Sequence, residues 1–392
     1  MRLIHFSVAL ILLWSASGIL AQSQPASRLD VRLGGGILLP IYEPFPASSV
    51  VTSLECSVFK KNTNFPSWRG VYSRSRFGWS AQVMDLGNPR VLGQTLSVSP
   101  IAEIVHRIDD RTSVHGRIGI GIGYFTRHYD VESNPTNNVI GSRWANVSRF
   151  HLEWRRQMNP QWRLGVGIHF IHCSNAHTSV PNIGANVIGM HMTLAKNKVL
   201  PKQKDDIAFI LILIGYNKRL NIHLGAGYGW HAFEGSAQPS DGPLYKDPVA
   251  YAQMGIVHRH RSSLYAGMQW TQYNSYKHYL LVNELVEAKD LTKSIQNYTL
   301  YLGYDWFFPH ASFFVQAGAQ IYNPAMEKVK ALHASKDRGW LHQHTAAKLG
   351  YRLYLFNPMR NNHVSPYLQL AVKTNGGAAD FFETTLGLKV DW

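Results

Sequence analysis

The residues best suited to chemistry lie at the end of one alternating segment, Trp162-Arg-Leu-Gly-Val-Gly-Ile-His-Phe-Ile-His-Cys-Ser-Asn175. Its even positions are Trp162, Leu164, Val166, Ile168 and Phe170, followed by His172 and Ser174. Its odd positions, among them Arg163, Gly165, Gly167 and His169, are small or polar, which is the period of a strand with one apolar face. Residues i and i+2 on a strand point the same way about 6.6 Å apart, so an imidazole can lean onto a neighbouring serine oxygen. His172 and Ser174 therefore read as a general base and its nucleophile, placed at the end of an oily rank. The bland alternative is two polar side chains at headgroup level that only meet water.

The next segment supplies their neighbours. Pro181-Asn-Ile-Gly184 is a turn, and beyond it Asn186, Ile188, Met190, Met192 and Leu194 share a face, against Ala185, Gly189, His191 and Thr193. Asn186 then falls beside His172 across the hairpin, where an amide oxygen can orient the ring. Asn175 and Asn182 add amide donors, candidates for stabilising an oxyanion.

An oily face at this spot implies a membrane, and the rest of the chain says which kind. Residues 1–21 carry Arg2, an apolar run and small residues but no acid, the pattern of a cleaved secretory signal. Beyond it the longest apolar run, 207–215, has nine residues, against about 20 for a spanning helix and about 9–11 for a spanning strand. Leu386, Leu388, Val390 and Trp392 alternate with Gly387, Lys389 and Asp391, an outward-facing final strand closing on an aromatic. With 32 Gly, 19 Tyr, 11 Trp and 16% charged residues, and a mean hydropathy of −0.16, the composition fits strands that divide lipid from a polar lumen.

Removing the signal deletes one of 39 basic residues and none of 24 acidic ones, leaving a formal charge of +14. That balance favours an anionic partner such as a phosphorylated outer-leaflet glycolipid. Nucleic acid is not expected, because the basic residues are scattered and the signal directs the chain out of the cytoplasm. Cys56 and Cys173 have no spacing signature and stay unassigned. The 19 histidines show no metal-site spacing, and no metal or cofactor is implied.

Alternating segments recur at 28–39, 51–59, 77–85, 96–106, 113–126, 145–156, 162–174 and 184–195. They continue at 220–230, 249–257, 264–273, 297–307, 312–322, 345–355, 364–373 and 381–392. Sixteen such segments predict an all-β, antiparallel transmembrane β-barrel over 22–392. One large closure is preferred, and two eight-stranded halves divided near Lys196 are the alternative. The run 205–216 lacks alternation and, counted as a strand, gives seventeen, unless it merges with its neighbour across Asn217-Lys-Arg219 or the count is off by two. If the first strand starts in the periplasm, Ser174 lies at the outer end of the seventh. Parity also predicts that arginine at Val166 hinders assembly, and that arginine at Gly165 is milder unless the lumen is crowded.

Three other motifs have bland readings. Gly119-Ile-Gly-Ile-Gly123 looks like a nucleotide loop but alternates as a strand with no helix after it. His258-Arg-His-Arg261 reads as a solvated basic turn. Asn146-Val-Ser148 and Asn297-Tyr-Thr299 match a glycosylation pattern, which on strands of an outer-membrane barrel is expected to be irrelevant.

His-Cys-Ser-Asn followed by Pro-Asn-Ile-Gly-Ala-Asn resembles the outer-membrane lipid A 3-O-deacylases and the longer acyloxyacyl hydrolase-like proteins grouped with them. The resemblance implies a Ser174 nucleophile and a His172 base on the lipid-exposed outside of a barrel, with lipid A of lipopolysaccharide as the esterified substrate. The family's acidic third member falls twelve residues after the serine, where this chain has Asn186. A minimal member would span 28–196, leaving 197–392 as an additional strand-rich half.

Overall fold

The computed structural model describes residues 28–40, 44–59, 75–197, 219–233, 243–258, 261–308, 310–333, 344–359, 363–376 and 378–392. The expected signal over 1–21 and the apolar run 205–216 lie outside these residues.

Among the described residues sixteen antiparallel strands form two closed barrels of eight. The eight-stranded halves, not the single large ring, describe the closure. The first barrel comprises β1 (Arg28–Leu38), β2 (Val51–Phe59), β3 (Ser75–Asp85), β4 (Gln94–Arg107), β5 (Thr112–Phe125), β6 (Trp144–Gln157), β7 (Trp162–Ser174) and β8 (Ala185–Asn197). It is sealed by β1 against β8, with Arg28 opposite Asn197. The second comprises β9 (Arg219–Ala232), β10 (Leu244–His258), β11 (Ser262–Gln272), β12 (Gln296–Phe308), β13 (Ala311–Tyr322), β14 (Thr345–Tyr354), β15 (Val364–Asn375) and β16 (Ala378–Asp391), sealed by β16 against β9. Among the described residues no helix is long and apolar enough to cross a membrane.

In the first barrel the period-two pattern gives the strands an apolar exterior and an interior that is polar over much of its length. Leu164, Val166, Ile168 and Phe170 are exposed, while His169 and Ile171 are buried. Inside, Asp30 meets Arg28 at 2.7 Å, Arg117 at 2.6 Å and Arg155 at 2.8 Å, and Glu153 meets Arg155 at 2.7 Å and Arg32 at 2.9 Å. Sharing of carboxylates is what buried guanidinium groups require, because an unpaired charge in a low-dielectric interior is costly. The lumen is therefore crowded. A β-carbon on Gly165 would lie 2.1 Å from Glu153 Oε1, so the leniency expected there does not apply.

Short turns close one end of this barrel by the same device twice. Asp109 Oδ1 accepts the N–H groups of Arg111 and Thr112, both at 2.7 Å, and Asn159 Oδ1 accepts those of Gln161 and Trp162, both at 2.9 Å. The Arg111 N–H in particular holds the Asp109 carboxyl below its ordinary range. The opposite end carries the longer loops, and there Leu38, Met84, Leu86, Leu92, Phe125, Val139, Ile140, Ile171 and Cys173 form an apolar core. Cys173 points into that core while Cys56, on β2, has the opposite parity to the buried Glu55 and Ser57 and is only half-buried. The two thiols lie on different faces of the wall and do not pair.

Candidate active site

The core beneath the loop end fixes which way the last residues of β7 face. Ile171 and Cys173 are packed inward, so His172 and Ser174 are left on the exterior rank that begins with Leu164. His172 is half-buried and Ser174 is 8% exposed. Asn186 stands directly opposite His172 on β8, as Ile188 stands opposite Phe170.

The hydrogen bonds set protonation states as well as positions. His172 Nδ1 and Asn186 Oδ1 are 2.8 Å apart. An amide oxygen only accepts, so Nδ1 carries the proton and Nε2 has the lone pair of a base. Asn182 Nδ2 donates to Ser174 Oγ at 2.9 Å, and the Asn175 backbone N–H donates to Asn182 Oδ1 at 3.3 Å. A backbone N–H can only donate, which fixes the Asn182 amide with its NH2 on the serine. A hydroxyl that accepts one such bond can still donate its own proton. The Asn175 side chain turns elsewhere, donating to Ser142 Oγ at 3.2 Å.

The loop between β7 and β8 is bent sharply and braced. Ala176 and His177 adopt left-handed backbone, φ 54° and 63°, at a cost of about 1–2 kcal/mol each. Non-glycine residues in that region mark a constrained segment, often a functional one. Gly184 also has positive φ, 84°, and a β-carbon there would sit 3.1 Å from the Cys173 carbonyl oxygen and 3.4 Å from His172 Cε1. Glycine is what lets β8 start close beside the imidazole. The loop is pinned by Ile183 N–H to Asn138 O and Gly184 N–H to Val139 O, both 3.0 Å. Asn137, fully buried, accepts the N–H groups of Val139 and Ile140 and donates to Val91 O at 2.9 Å.

All five residues singled out from sequence thus come together, four of them through two hydrogen-bonded pairs and Asn175 through its backbone. Three more polar residues join them that sequence reasoning did not assign. Ser142 receives Asn175, while Asn146 and Ser148 on β6 stand opposite Ser174 and His172 respectively. Parity within β6, where Trp144, Asn146, Ser148 and Phe150 share a rank, was the available signal. No charged side chain is among these eight residues.

The pattern of the family described as lipid A 3-O-deacylase (PagL) matches residues 58–195, from the end of β2 through β8. The first barrel is PagL-like. The crystal structure of the outer membrane enzyme PagL aligns with 20% identity over 42% of this chain and 97% of that one, at a TM-score of 0.31. OpdL of Pseudomonas aeruginosa aligns with 11% identity over 94% of this chain and 98% of its own, at a TM-score of 0.20. No curated protein matches the chain. The similarity to this family ends with β8, the strand that seals the first barrel.

Proposed function

We propose that the first barrel is a serine esterase that removes an ester-linked acyl chain from lipid A. The observation that carries this reading is the pair of bonds Asn186–His172 and Asn182–Ser174 at the end of a lipid-facing rank. His172 Nε2 takes the Ser174 proton as Oγ attacks the ester carbonyl carbon. The Asn182 amide, already beside Oγ, steadies the oxyanion, while Asn175, turned to Ser142, holds Asn182 in place through its backbone N–H. Collapse breaks the ester bond, the imidazolium returns its proton to the leaving sugar oxygen, and water activated by His172 then releases the fatty acid. Asn186 orients the ring but adds no negative charge to stabilise the imidazolium, so turnover is expected below that of a carboxylate-containing site.

The rival reading, a non-enzymatic outer-membrane barrel, a pore or adhesion scaffold with a decayed deacylase site, rests on that same asparagine. Mass spectrometry of lipid A from cells with and without the gene separates them. Loss of the mass of one ester-linked acyl chain is expected on expression. Unchanged lipid A would favour the decayed scaffold, all the more so if Asn186→Glu restored the loss.

A further inference from the structure

The geometry points to a substrate-reading subsite made by Asn146 and Ser148, beside the nucleophile. The inference rests on the esterase reading of Ser174 and deepens it. Asn146-Val-Ser148 has the spacing of a glycosylation motif, but on a strand the same i, i+2 spacing puts both side chains on one face. That face is the exterior, because Ala145 and Val147 between and before them belong to the apolar core. Register then sets Asn146 opposite Ser174 and Ser148 opposite His172.

Their hydrogen bonds leave a defined remainder. Ser148 Oγ donates to Asn146 Oδ1 at 2.7 Å, and Asn146 Nδ2 donates to the Gly121 carbonyl on β5 at 3.1 Å. The dyad is thus oriented from both sides. Among the described residues, the second amide N–H of Asn146 and the lone pairs of Ser148 Oγ have no protein partner. Around the dyad the surface is apolar: Ile122 is the register partner of Asn146 on β5, and Phe150 and Phe170, with rings 6.3 Å apart, lie below it. Polar groups set in such a surface are costly unless something uses them.

One donor beside an acceptor matches a neutral group that both donates and accepts, a hydroxyl or a secondary amide. The dyad lies one strand away from the nucleophile, about 4.8 Å, and leans further toward β5. Atoms at that remove from an attacked carbonyl are three or four bonds along the substrate. The subsite therefore selects esters with a hydroxyl or an amide close to the ester group, on either the acyl or the alcohol side. It takes no part in the bond-making step.

Three synthetic esters of equal chain length test this in detergent-solubilised full-length protein. One is a plain acyl ester of a simple alcohol, one carries a hydroxyl on the β-carbon of the acyl chain, and one has an N-acyl amide on the carbon adjacent to the one that bears the ester oxygen. Wild type is expected to favour the second or the third over the first by about tenfold in kcat/KM, and the favoured ester names the side that is read. Asn146→Leu and Ser148→Ala should each bring that ratio close to one, with assembly checked by heat-modifiability on gels. A wild-type ratio of one, or a ratio that both variants preserve, overturns the subsite. Turnover of none of the esters, or turnover that persists in Ser174→Ala, instead overturns the esterase reading and takes the subsite with it.

Discussion

The two barrels each gather a serine and a histidine near one end, and only one of the pairs fits the proposed nucleophile and base. In the second barrel the Ser275 hydroxyl donates to Asp247 Oδ2 at 2.8 Å, its backbone N–H donates to Asp247 Oδ1 at 3.0 Å, and His231 Nδ1 lies 3.0 Å from the hydroxyl. Serine, histidine and aspartate are all present, which by residue type is a more complete set than Ser174, His172 and Asn186. Ser275 has no exposed surface, however, and it is packed beside an apolar cluster of Tyr273, Tyr276, Leu280 and Phe381. Its proton is given to the carboxylate instead of to a base. Ser174 accepts from an amide and stands on an exterior rank. The contrast teaches that the direction of the hydrogen bonds and the face of the wall, more than the identity of the residues, separate a nucleophile from a structural clasp.

The sharpest way to break this contrast is to remove both hydroxyls in turn. Ser174→Ala is expected to lower lipid A deacylation by roughly 10³-fold or more while the barrel assembles. Ser275→Ala should keep activity and cost about 1–3 kcal/mol of stability, the penalty for leaving a buried carboxylate short of a donor. Loss of deacylation in the second variant with retention in the first would invert the assignment of the two serines.

A second comparison sets the two faces of β7 against each other. Val166→Arg places a charge mid-strand on the lipid side and should destabilise assembly by about 2–4 kcal/mol. Gly165→Arg should be worse, because its first side-chain atom meets Glu153 and Arg155 in the packed lumen. Folding yields into detergent micelles would show the order, and equal yields for both would remove the distinction between faces.

Smaller effects refine the polar end of the rank. Asn182→Ala is expected to lower kcat about 10²-fold, as the loss of an oxyanion donor does. Asn186→Ala should slow turnover about tenfold without abolishing it, and Asn186→Glu should raise it by a similar factor. Unchanged kcat in Asn182→Ala would move the oxyanion role to another donor.

Much of the wall was legible because each strand divides lipid from lumen and so repeats every two residues. The expected segments 51–59 and 162–174 coincide with β2 and β7. Closure was not legible, since alternation is local and does not say which distant strand seals a barrel. The helices of the second barrel's loops, Lys277–Val282, Leu291–Ser294 and Pro324–His333, also gave no signal strong enough to read. Segments of four to ten residues owe their helicity to packing such as that of Leu280 and Ala325 in the apolar cluster. At the site, Ser174, His172 and Asn186 followed from parity within one hairpin. Ser142 reaches Asn175 across 33 positions, a contact that only the fold creates. Gly165 likewise needed the register that sets it opposite Arg155.

The lipid-facing serine, and not the clasped one, is the proposed nucleophile. Labelling the full-length barrel in detergent with a serine-reactive fluorophosphonate, followed by peptide mass spectrometry, addresses it directly. The expected result is an adduct on Ser174 that is lost in His172→Ala and in Ser174→Ala, with Ser275 unmodified. An adduct on Ser275, or undiminished labelling of Ser174 without His172, would contradict it.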